Sequence, residues 1–133
     1  FLGWSSRADV VVVEGVGGLL CPLTDEQTIA DFAVWVGFPL VIVARLGLGT
    51  INHTLLTIEA ARQRKLDITG VIFCDGDNLA DSQAGQTNGD ELARLTDVPL
   101  LGIVDFGSDS VRLRDGESQA RIDWSRLAGT HQG

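Results

Sequence analysis

The sequence predicts an α/β fold, a parallel sheet with helices on its faces. Four short apolar runs of strand length alternate with segments whose apolar residues recur at helical spacing. The order strand, helix, strand, helix, strand, helix, strand makes neighbouring strands parallel, joined by right-handed crossovers.

The first run, Val10–Val13, is continuous and β-branched, the pattern of a strand buried on both faces. In "TIADFAVWVG", Ile29, Phe32, Ala33 and Val36 share a helical face and Gly37 suits a C-terminal stop. "PLVIVARLG", Pro39–Gly47, is the second strand, with Pro39 tolerable at its first residue. "TINHTLLTIEAARQRKL" is the clearest helix. Ile51, Leu55, Ile58 and Ala61 form one face, and Thr50 or Asn52 can cap it. Arg62, Arg64 and Lys65 gather in its last turns, where cations complement the dipole. "DITGVIFCD", Asp67–Asp75, is the third strand and "VPLLGIVDF", Val98–Phe106, the fourth, with a shorter helix around Glu91–Leu95 between them. Residues 1–133 therefore read as a single α/β domain, with a weakly patterned tail over 107–133. There "VRLRDGES" suggests a hairpin arm and "DWSRLAG" a final helical turn.

Composition excludes some partners. The net charge is −8, ten Lys+Arg against eighteen Asp+Glu, and the basic face that binds a nucleic-acid backbone is missing. The apolar runs are shorter than the roughly 18 residues of a membrane span, and no signal peptide is readable. Cys21 and Cys74 lie far apart and form neither a disulfide framework nor a metal motif, so both read as reduced thiols of a cytoplasmic protein. At 133 residues the chain is short for a self-contained nucleotide enzyme. It also opens on Phe1 just ahead of a strand pattern, as a piece of a larger fold would.

In open parallel sheets, ligands bind beyond the carboxyl ends of the strands. Here those ends carry Glu14 with Gly15, Val16, Gly17 and Gly18, then Arg45 to Thr50, then Cys74 to Asn78, then Asp105 to Gly107. A carboxylate such as Glu14 can hold Mg²⁺ when phosphates complete the shell. Glycines after it permit close backbone approach and N–H groups that face an anion, although a plain tight turn has the same composition. The helix opening near Thr50 offers free N–H groups to a carboxylate or phosphate. His53 reads as a capping or packing residue, and His131 lies in the tail. Asp75, Asp77 and Asp81 lack the ligand order of an EF-hand. No Walker A sequence, no H-E-x-x-H and no Cys/His zinc spacing occurs.

"VVVVEGVGGLLCPL", "FPLVIVARLGLGTINHTLLTIEAARQRKLDITGVIF" and "VPLLG", in that order, resemble the carboxyl-terminal half of dethiobiotin synthetase, over Ala8 to about Gly102. The resemblance implies a P-loop NTPase-like fold, a homodimer, and ureido-ring closure on 7,8-diaminononanoate with CO₂ and MgATP. It implies that Glu14 helps hold Mg²⁺, and that Gly15, Val16, Gly17 and Gly18 pass near the diamine and phosphates. Gly49, Thr50, Ile51 and Asn52 match the segment whose backbone meets the substrate carboxylate across the dimer. Cys74, Asp75 and Asp105 fall on the nucleotide-base side. Cys74 stands where the family usually has an asparagine amide, and Asp105 where it has a proline. The resemblance further implies that the P-loop half is missing, carried by the parent chain or a partner chain, and that this chain alone is inactive. Two alternatives stand beside it: a non-catalytic binding or dimerisation module, and another ATP-dependent ligase of the P-loop superfamily.

Overall fold

The computed structural model describes residues 8–78, 83–112 and 119–120. Helix α1 (Ile29–Val36) precedes strand β1 (Leu40–Arg45), and α2 (Thr50–Gln63) leads to β2 (Ile68–Cys74). Then come α3 (Gln83–Leu95), β3 (Leu100–Val104), β4 (Val111–Arg112) and β5 (Gln119–Ala120). The strands form one sheet in the order β1-β2-β3-β4-β5. β1, β2 and β3 are parallel, whereas β4 and β5 join antiparallel at the far edge. The sheet is therefore mixed and mostly parallel, flanked by helices, as in the P-loop NTPase-like fold expected.

Why these residues form these elements is visible in their burial. β2 is the central parallel strand, so Val71, Ile72 and Phe73 are all buried, although successive side chains point to opposite faces. In β1, Ile42 and Ala44 join the core while Val43 stays exposed, the alternation of a strand covered on one side. The core itself is Leu46, Ile58, Val71, Phe73 and Leu92 with Ile42 and Val98; Ile51, Leu55 and Leu100 pack against it. Thus Ile51, Leu55, Ile58 and Ala61 face inward as their spacing required, although the buried set also includes Thr50 and Thr54.

One strand expectation fails. Val10–Val13 forms no strand among the described residues, and Val12 and Val13 are exposed. A β-branched run favours extended backbone, but a strand exists only when a neighbour completes its hydrogen-bond ladder. Here the run lines a crevice of about 880 Å³, whose other walls include Phe32, Ala33 and Val36 of α1 and Leu40 to Val43 of β1. Of the stretch "VRLRDGES", the described residues Val111 and Arg112 form β4, which pairs antiparallel with β5 just beyond the stretch. The turn suggested for "DWSRLAG" falls outside the described residues, as do Asp81 and His131. Among the described residues no helix is long and apolar enough to cross a membrane.

Phe73 is fully buried at the centre of the core. Phe73→Ala is expected to cost about 3–5 kcal/mol, read as a shift in the urea midpoint. Val34→Ala, on the exposed side of α1, is expected to stay within about 0.5 kcal/mol.

Candidate functional site

The register aligns the strand ends. Arg45 pairs with Cys74 and Cys74 with Val104, so β1, β2 and β3 finish on one line. The ladder runs one residue further on each side: Leu46 N–H donates to Cys74 O at 2.8 Å, and Asp75 N–H to Val104 O at 2.9 Å. Three loops leave this line and form a rim.

The first loop, Gly47-Leu48-Gly49, starts α2. Its N-cap is Gly49, at φ 86°, and no side chain bonds the cap. The expectation that Thr50 or Asn52 caps this helix is corrected. Reversing the chain in so few residues requires a left-handed residue just before the helix, and glycine adopts that conformation without strain. Thr50 turns inward and is buried, whereas Asn52 is exposed. Thr50 N–H donates to Gly47 O at 3.3 Å and His53 N–H to Gly49 O at 3.1 Å. Between them, the N–H groups of Ile51 and Asn52 have no backbone acceptor among the described residues. Such a helix start attracts a carboxylate or phosphate.

The second loop carries Cys74 and Asp75. Cys74 is a half-buried free thiol. Asp75 is buried, and its Oδ1 accepts the Asp77 N–H at 3.3 Å. Asp77 in turn accepts from Arg45 at the end of β1, with Nε at 2.8 Å. On the third loop Asp105 receives a two-pronged bond from Arg112 of β4, at 3.0 and 2.9 Å, and both side chains are half-buried. The Asp105 carboxylate holds the Arg112 guanidinium above its ordinary value, against an opposing effect of burial.

Glu14 and its glycines lie elsewhere. Glu14, Gly15, Gly17 and Gly18 line the crevice beside β1; Val16 is exposed outside it, and Thr57 of α2 reaches the same crevice. Gly17 has φ 77°, and a Cβ there would meet Cys21 Sγ at 2.7 Å. The Gly18 N–H donates to that sulfur at 3.0 Å, so one of the backbone donors expected to face an anion is already engaged. The loop then docks on α1: Ile29 N–H donates to Cys21 O at 3.0 Å and Ala30 N–H to Leu19 O at 2.8 Å. Among the described residues no three His, Cys, Asp or Glu side chains gather as a metal site. Glu14 thus offers Mg²⁺ a single exposed carboxylate, which suits a cation that takes one or two carboxylates and completes its shell with water and phosphate.

The structure brings Gly49–Asn52 together with Cys74, Asp75 and Asp105 along one rim, and sets Glu14, Gly15, Gly17 and Gly18 in the crevice with Val16 outside it. Sequence reasoning missed Cys21 as the acceptor inside the glycine loop, Arg45 and Arg112 as partners of the rim carboxylates, and Asn88 of α3. Asn88 is buried and its amide donates to Gly47 O at 3.4 Å. Its signal was available: it lies one helical turn before Leu92, on the face that α3 buries.

With this geometry, the chain belongs to the AAA domain family, whose family model matches residues 4–113. Within that class it is similar to ATP-dependent dethiobiotin synthetases named BioD. It is 53% identical to that of Novosphingobium aromaticivorans over 95 residues, 71% of this chain and 46% of the relative. It is 42% identical to that of Anaeromyxobacter sp. over 132 residues, 96% of this chain and 54% of the relative. The protein of Thermodesulfovibrio yellowstonii is 38% identical over 119 residues, 84% and 50% respectively. The chain spans about half the length of these relatives. The expectation of a carboxyl-terminal half, with a phosphate-binding half missing from it, is corrected by the family match. The AAA domain runs over 4–113, most of the chain.

The loop-to-α1 junction is testable. Thr28 caps α1 in a reciprocal arrangement: its hydroxyl donates to Asp31 Oδ2 at 2.7 Å and accepts the Asp31 N–H at 3.4 Å. That hydroxyl, with the Thr28 N–H, holds the Asp31 carboxyl below its ordinary value of 3.8. A carboxyl whose pKa is depressed on folding stabilises the fold above its unfolded value, and the contribution disappears as pH falls through the folded value. Thr28→Ala is expected to cost about 1 kcal/mol at neutral pH. It is also expected to flatten the loss of stability below pH 3.8, measured as urea midpoint against pH.

Proposed function

We propose that this chain works in ATP-dependent dethiobiotin synthesis, closing a ureido ring on 7,8-diaminononanoate with CO₂. The observation that carries the reading is the start of α2, where the N–H groups of Ile51 and Asn52 have no backbone acceptor among the described residues. A substrate that ends in a carboxylate is what such a helix start binds. Similarity to dethiobiotin synthetases over most of this chain supports the choice among carboxylate ligands.

In this reading Gly49, Thr50, Ile51 and Asn52 hold the carboxylate of a substrate whose diamine lies in the partner subunit of a homodimer. Gly15, Val16, Gly17 and Gly18 pass beside the diamine and phosphates. Glu14 holds Mg²⁺, which when bound neutralises phosphate charge. One amine takes up CO₂ as a carbamate, whose oxygen attacks the γ-phosphorus and releases ADP. The second amine attacks the carbonyl of the mixed anhydride, closing the ring and expelling phosphate. Cys74, Asp75 and Asp105 lie on the base side of the nucleotide. Cys74 lacks the paired donor and acceptor of an amide, and Asp105 is held by Arg112, so base recognition there falls to backbone and shape.

Those same two residues favour a second reading, a binding or dimerisation module without nucleotide chemistry. A third is a related ATP-dependent ligase with another acid or amine substrate. Calorimetry separates them. The reading expects 7,8-diaminononanoate to bind roughly tenfold tighter than a diamine of the same length lacking the carboxylate. Equal affinities for the two would remove the carboxylate assignment. Heat from neither diamine, with none from MgATP, would leave the module. Glu14→Gln is expected to weaken MgATP binding while the thermal midpoint stays unchanged, because Glu14 is exposed.

A further inference from the structure

The turn that starts α2 has little of its own to hold it. Gly47 and Gly49 carry no side chain, and Leu48 between them is fully exposed. Packing fixes only its ends, through Leu46, which is fully buried, and Thr50, which is nearly so. The middle of the turn is free to rotate unless something grips its peptide groups.

Asn88 supplies the grip. Asparagine is a poor residue for a helix interior and an expensive one to bury without partners. Yet Asn88 lies inside α3 at 9% exposure, one turn before the fully buried Leu92. Its Nδ2 donates to Gly47 O, 41 residues away in sequence. The same carbonyl accepts the Thr50 N–H, so the Asn88 amide and the first amide of α2 share one acceptor. Rotation of the Gly47–Leu48 peptide would break both bonds and swing Gly49, and with it the N–H groups of Ile51 and Asn52.

We infer that Asn88 is a positioning residue: its buried amide fixes the Gly47 carbonyl and thereby aims the start of α2 at a carboxylate. α2 and α3 already touch, so the bond spans an existing contact. Asn88 acts through the turn. The ligand half of this inference rests on the carboxylate reading proposed above; the turn half does not.

Two measurements on Asn88→Ala test it, with Asn88→Asp as the near-isosteric variant that also removes the donor. Hydrogen exchange is followed at Thr50 and, as an internal reference, at Ile58 of the same helix. One lost hydrogen bond predicts that exchange at Thr50 rises about fivefold while Ile58 is unchanged. Calorimetry then predicts about fivefold weaker binding of 7,8-diaminononanoate, with no change for the matching diamine without a carboxylate. Equal acceleration at Thr50 and Ile58, or none at either, would overturn the positioning role, because the residue would then be a core contact or no contact. Equal weakening of the two diamines would overturn it as well. If the unaltered protein binds neither diamine, the carboxylate reading fails, and the exchange result still decides whether Asn88 holds the turn.

Discussion

Everything at the rim depends on the two-sided burial of β2. Val71, Ile72 and Phe73 have no solvent face, so the strand cannot slip by one residue without moving its side chains to the wrong faces. β1 and β3 are locked to it, and their last residues fall in line with Cys74. The bonds from Leu46 and Asp75 carry that order just past the strand ends. Loop geometry at the candidate site is thus a consequence of core packing some residues away.

Charges on the rim mostly answer one another. Arg45 meets Asp77 from the next loop, and Arg112 meets Asp105. Exposed pairs such as the first contribute little to stability, since solvent screens them and two long side chains must be ordered. Their effect is on geometry: each ties a loop to its neighbour. Asp105 is the more constrained of the two carboxylates, because the planar guanidinium grips both of its oxygens in a half-buried setting. What remains open for a ligand is then backbone, above all the first N–H groups of α2. A site built on backbone donors depends little on side-chain identity.

The parts of this architecture legible in sequence are those fixed by local pattern. Apolar run length marked β1, β2 and β3, and helical spacing marked α1 and α2, because burial on a period of two or 3.6 leaves a direct trace. Val10–Val13 carries the same trace but not the same outcome, since a run of valines specifies extended backbone and says nothing about its neighbour. The cap of α2 was misplaced because Thr50 and Asn52 have suitable side chains, while the deciding factor was a left-handed backbone at Gly49. The partners of Arg112 and Asn88 were invisible for another reason. Those partners, Asp105 and Gly47 O, are brought to them by the sheet and by the α2–α3 contact, neither of which sequence periodicity encodes.

The two halves of the candidate site are anchored independently. The start of α2 hangs from the sheet, through Leu46 and Thr50, and from α3, through Asn88. The Glu14 loop hangs from α1, through the Gly18–Cys21 contact, the bonds from Ile29 and Ala30, and the Thr28–Asp31 cap. The Glu14 loop, α1, β1 and Thr57 of α2 line one crevice. Open space between α1 and β1 constrains α1 less than the close-packed core constrains α2. On the proposed assignment of Glu14 to Mg²⁺ and of the α2 start to a carboxylate, a change that loosens α1 should affect the first while leaving the second intact.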